Sequence, residues 1–185
     1  MEAEEDGFRM SINRTGHRDF FTLPRLLVLA AAGHLLCFVG DLFLGYFPGG
    51  RLSLADGNLH SALDVLRGAN ATKLLVAGYL GIPAMLLMLL GFYALGRFLS
   101  AYSPRNASAV FACGMVAAVS GTAHHISCAM ALWLAVQGGL TAASKKTALA
   151  YFNATSGTMY LFYFAILVAC VLLFAAVIRG KTALP

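Results

Sequence analysis

KLLVAGYLGIPAMLLMLLGFYALGRF, Lys73 to Phe98, decides the fold class. No residue between Lys73 and Arg97 carries a formal charge. About 20 apolar residues suffice for a helix to cross ~30 Å of hydrocarbon. A soluble core of this chain's length would not need such runs. The stretch reads as a transmembrane helix.

Three further apolar runs lie around it. One extends from about Arg25 to Phe47, opened by Pro24, which suits a first helical turn, and ended by Pro48-Gly49-Gly50. Another extends from about Ala107 to Gln137 and is followed by two glycines. The last ends at Ile178, before Arg179. Its start is open. From Lys145 to Ile178 a continuous helix would reach about 51 Å at ~1.5 Å per residue, more than a bilayer. Either the helix projects from the membrane, or a surface turn precedes a span over 157–178.

Composition agrees. The chain has 185 residues, of which 59% are hydrophobic and 11% charged, against about 25% charged in soluble domains. Mean hydropathy is +0.76. The expected fold is an all-α membrane protein, a bundle of four transmembrane helices spanning about 25–47, 73–98, 107–137 and 157–178. A polar tail, residues 1–23, precedes this single helical domain, 24–185. The tail is too long and too acidic for the head of a cleaved signal peptide, so the first span is expected to stay as a signal anchor. Between the first two spans lies RLSLADGNLHSALDVLRG, Arg51 to Gly68. Leu59, Leu63 and Leu66 recur there at helical spacing, which predicts a short amphipathic helix on the membrane surface.

Formal net charge is +5. The basic residues flank apolar runs, and no basic-aromatic patch supports nucleic-acid binding. With the N-terminus inside, eight of the 13 Lys and Arg fall on the cytoplasmic side. That bias predicts a multi-pass cell-membrane protein with both termini cytoplasmic. Its expected partners are the bilayer, a lipid-like small molecule and further copies of the chain. The four cysteines, Cys37, Cys113, Cys128 and Cys170, lie in apolar runs without a CxxC pair. They read as small packing residues, not as a disulfide framework or zinc ribbon.

Polar groups at membrane depth carry the functional signal. A central Asp costs about 2.5–3.5 kcal/mol on insertion scales, and Asp41 is the only acidic residue deep in a span. His34, Cys37 and Asp41 share a helical face. VSGTAHHISCAM, Val119 to Met130, puts Ser120, His124 and Cys128 on another face. His125 points about 100° away, so one histidine can face a cavity and the other a neighbouring helix. Asn153, Ser156, Tyr160 and Tyr163 form a stripe on the last run. Tyr79 precedes Pro83, which should kink its helix and free the Tyr79 carbonyl. At ~1.5 Å per residue, Asp41, His124, Tyr79, Tyr160 and Tyr163 all fall in the outer half, about 3–10 Å from the span midpoints. One polar cavity is expected there, lined by His34, Asp41, Tyr79, Ser120, His124, His125, Tyr160 and Tyr163.

The chain lacks HExxH, GxSxG and a P-loop, and has no Glu after residue 5. Catalytic residues are not assigned; the candidates are Asp41 and His124. No cofactor and no metal ligand is assigned.

Gly40-Asp41, the glycine-rich run with Gly78, Gly81, Pro83, Gly91 and Phe92, and the histidine at His124 resemble a bacterial multi-pass membrane family of unknown function. The resemblance covers about Gly33 to Cys128. Its members tend to be longer, with further C-terminal spans, which makes a fragment of a longer chain an expectation. It supplies no activity, but singles out Asp41 and His124. Four functional readings stand. The first is an outer cavity that binds a small amphiphilic or lipid-like ligand. The others are a membrane enzyme using His/Asp acid–base chemistry on a lipid, a haem- or metal-binding membrane protein, and a structural subunit.

Overall fold

The structure, a computed structural model, describes residues 22–52, 63–180 and 182. Among the described residues, four stretches of helix are long and apolar enough to cross a membrane. The chain thus has the fold of an all-α membrane protein.

Helix α1 spans Leu23–Gly45, with Pro24 in its first turn. Two short strands follow, β1 (Tyr46–Phe47) and β2 (Gly50–Arg51), paired antiparallel. So the first span ends two residues earlier than its apolar run. Helix α2 spans Ala71–Ser100. The Asn70 side chain accepts a hydrogen bond from the Thr72 N–H at 2.8 Å, capping an otherwise unpaired donor. The helix continues through Pro83. Helix α3 spans Pro104–Gln137 and stops at Gly138-Gly139, where Gly139 takes a φ of 67°.

Helix α4 (Ala142–Thr155) and helix α5 (Gly157–Ile178) resolve the open start of the last span. Ser156, between them, keeps helical angles of φ −60° and ψ −22°. The two therefore run nearly end to end, about 55 Å in length at ~1.5 Å per residue. α3 is 34 residues long and packs beside them. The Ser144 hydroxyl donates to the Ala135 carbonyl at 3.4 Å, and Phe152 packs on His124.

α1 packs on α2, α2 on α3, and α3 on both α4 and α5. Small residues set these approaches. A Cβ on Gly33 would come within 2.8 Å of the Ala84 carbonyl oxygen, so glycine there lets α1 and α2 nearly touch. One buried cluster, with Leu44, Phe47, Leu74, Leu132 and Ala148, sits at the hairpin end. A second, with Leu99, Ala107, Val110 and Ala176, sits at the opposite end.

The expected surface helix between the first two spans takes a different form where it is described. Leu59 lies outside the described residues. Leu63–Leu66 form one 3₁₀ turn, and Leu63 and Leu66 are buried in the hairpin-end cluster. Helical spacing revealed an apolar face, but protein covers it here.

Candidate functional site

The hairpin end of the bundle, among the described residues, is not filled. A recess of about 280 Å³ remains, walled by Leu44 and Gly45 of α1, Ala131 and Leu132 of α3, and Ala148, Leu149 and Phe152 of α4. Leu52 and Leu63 border it from the connecting segment, and Met159 from α5. Among its described lining residues, only Asp41, His124 and Cys128 bring titratable side chains. The small residues Gly45, Ala131 and Ala148 leave space that larger side chains would fill.

His124 lines this recess, with its Nε2 3.4 Å from the Cys128 thiol and its ring 6.4 Å from that of Phe152. His125 points elsewhere, between α1 and α2, and is 6% exposed. Its ring fills a slot left by two glycines. A Cβ on Gly40 would lie 2.9 Å from His125 Nε2, and one on Gly81 would overlap the ring. Nε2 is 3.0 Å from the Ala77 carbonyl oxygen. A carbonyl only accepts, so the Nε2 position must carry the hydrogen and donate.

That assignment leaves Nδ1 toward Asp41, whose Oδ1 lies 3.5 Å away. Cys37, one turn back on α1, joins them. Its Sγ, an Asp41 carboxylate oxygen and a His125 ring nitrogen all lie within 4.8 Å of one another.

The connecting segment is tied down beside the recess. The Lys145 ammonium donates to Asp64 Oδ1 at 2.7 Å, and Arg67 approaches the same oxygen at 3.5 Å. The Lys145 bond, supported by the charges of Lys145 and Arg67, holds the Asp64 carboxyl below its usual range. Lys73 donates to the Tyr46 carbonyl at 2.7 Å and sits over the Phe47 ring at 5.1 Å. The start of α2 is thereby fastened to the end of α1.

Of the residues expected in one cavity, the structure brings Asp41 and His124 together at the recess. His125 contacts Asp41 from behind the wall. The others go elsewhere. Ser120 is buried, but its hydroxyl donates to the Val116 carbonyl at 2.6 Å within its own helix. His34 is exposed and lines neither the recess nor the His125 slot. Tyr79, Tyr160 and Tyr163 are 64%, 67% and 61% exposed and do not line the recess. Periodicity identifies which residues share a face; it does not say which way that face turns. The sequence reading also missed the α4 wall, the Ala77 carbonyl and the grouping of Cys37 with His125. Gly40 and Gly81 were the available signal, because a large planar ring needs small neighbours.

Residues 10–185 match the family of unknown function DUF6796. The chain belongs to that family. The match extends well beyond the Gly33–Cys128 stretch that carried the resemblance. No curated protein and no solved structure matches the chain.

Proposed function

We propose that this DUF6796 member is an integral membrane protein whose recess binds a small amphiphilic, lipid-like molecule. One observation carries the reading: an apolar recess is lined by the titratable groups Asp41, from α1, and His124 and Cys128, from α3. Ligand sites combine apolar walls with a few placed polar groups, usually within ~300–1,000 Å³. At about 280 Å³ this recess suits one short chain or a small ring system. The apolar part would lie against Leu132, Leu149 and Phe152. A hydroxyl or amine head would meet Asp41 and His124, which can accept its hydrogen bonds. The Lys and Arg bias supports an orientation with both termini cytoplasmic and the recess in the outer half.

The test is a direct binding measurement on the full chain in mild detergent. Bound amphiphiles are extracted and identified by mass spectrometry, and a dansyl-labelled alkylamine is titrated in. Ala131→Phe, which fills the recess, should abolish both signals. A monodisperse wild-type protein that carries no amphiphile and binds no probe would end the reading. So would an Ala131→Phe variant that binds as well as wild type.

A further inference from the structure

We propose that Cys37, Asp41 and His125 form a binding site for a divalent transition-metal ion of the zinc class, at the inner edge of the recess. The geometry is the first argument. Zinc bonds of ~2.0–2.3 Å in a tetrahedron require donor separations of roughly 3.3–3.7 Å. Asp41 Oδ1 and His125 Nδ1 are already 3.5 Å apart, and the Cys37 sulfur completes a group within 4.8 Å. Cys37 and Asp41 lie one helical turn apart on α1, so small side-chain rotations close the remaining gap.

The second argument is the orientation of His125. Metal-binding histidines characteristically donate their other ring N–H to a carbonyl or carboxylate, which fixes the tautomer and turns the lone pair to the ion. The Ala77 carbonyl occupies that place here, 3.0 Å from Nε2. The glycine slot holds the ring at that angle.

Charge is the third argument. A thiolate and a carboxylate neutralise a divalent ion, so the loaded site carries no net charge at membrane depth, where unpaired charge is costly. The sulfur–nitrogen–oxygen donor set excludes the hard cations, which prefer oxygen alone. Binding is balanced by release of the Cys37 thiol proton, since the thiolate is the ligand. Three protein ligands leave a fourth position. Asp41 also lines the recess, so the site adjoins it.

Cobalt(II) tests the site, because its spectrum reports sulfur ligation and tetrahedral geometry. The full chain, purified without a histidine tag and stripped with chelator, is titrated with Co²⁺ in the absence of any amphiphile. Expected are one ion per chain, a thiolate-to-cobalt charge-transfer band, and displacement by Zn²⁺. Cys37→Ser should erase the band. Asp41→Asn should weaken binding at least as far as the ~10–100-fold typical of a lost supporting partner. Cys128→Ala, Cys170→Ala and Ala131→Phe should keep the band. Retained monodispersity and melting temperature show that Cys37→Ser has not simply unfolded the bundle. A folded wild-type protein without the band overturns the proposal. So does a band that survives Cys37→Ser or disappears in Cys128→Ala. Since Ala131→Phe blocks the recess but spares all three ligands, failure of the metal site and failure of amphiphile binding give different results.

Discussion

The two ends of the bundle are built from the same helices in opposite ways. At the end holding Leu99, Ala107, Val110 and Ala176, small and large residues interlock. Phe92 lies directly over Gly114, and Gly96 faces the Ala107 carbonyl. At the hairpin end, α4 joins the bundle, the walls turn small, and a recess opens beside Asp41 and His124. His125 sits where α1, α2 and α3 meet. The difference teaches that void and polarity occur together. Helices that only need to associate close on small residues, because lipid offers no hydrophobic drive between them.

Substitutions at glycines give the largest way to break this comparison. Gly81→Leu should force His125 out of its slot. Overpacking a tight site costs about 1–3 kcal/mol, and stranding the buried Ala77 partner adds about 1–3 kcal/mol. Thermal melting in detergent should fall sharply, and the cobalt band should go with it. Gly114→Ala at the closed end should cost about 1–3 kcal/mol through the Phe92 ring. There, cobalt and alkylamine binding should persist in the folded fraction. If Gly114→Ala removes binding as completely as Gly81→Leu, the two ends are not separable.

A smaller effect sharpens the boundary of the open end. The Asp64 carboxyl is held below its unfolded value, about 3.9, by Lys145 and then Arg67. A lowered folded value makes its contribution fully present above the unfolded value and lost as pH falls through the folded one. Asp64→Asn should therefore lower the melting temperature slightly at neutral pH, and the gap from wild type should close below about pH 4. A gap that widens on acidification would mean that the Lys145 tether is not its source. Smallest of all, Tyr160→Phe and Tyr163→Phe should change stability by less than about 0.5 kcal/mol and leave alkylamine affinity unchanged. A marked loss of affinity would return the tyrosines to the site.

The fold was more legible than the site, for reasons visible in single residues. Apolar length alone marked the four spans, because hydrocarbon thickness sets a length requirement that sequence can be measured against. Asp41 and His124 stood out in the sequence, since a titratable group at depth is conspicuous whatever surrounds it. His125 was harder to assign than its neighbour. Its role depends on Gly40, Gly81 and Ala77, which lie on other helices, and no local pattern records that meeting. The tyrosine stripe shows the converse: Tyr160 and Tyr163 share a face, but that face looks outward.

By itself, then, the sequence determined a helical membrane chain, its four long apolar helices and the few polar residues worth attention. These follow from transfer of side chains to hydrocarbon and from helical period, both local properties. Only the tertiary structure decided which histidine meets Asp41, that Cys37 stands with them, that α4 folds back beside α3 as a wall, and that Leu63 and Leu66 face protein. Those outcomes depend on how each helix is rotated about its axis. Rotation is set by contacts between residues far apart in the chain, such as the His125 ring resting between Gly40 and Gly81.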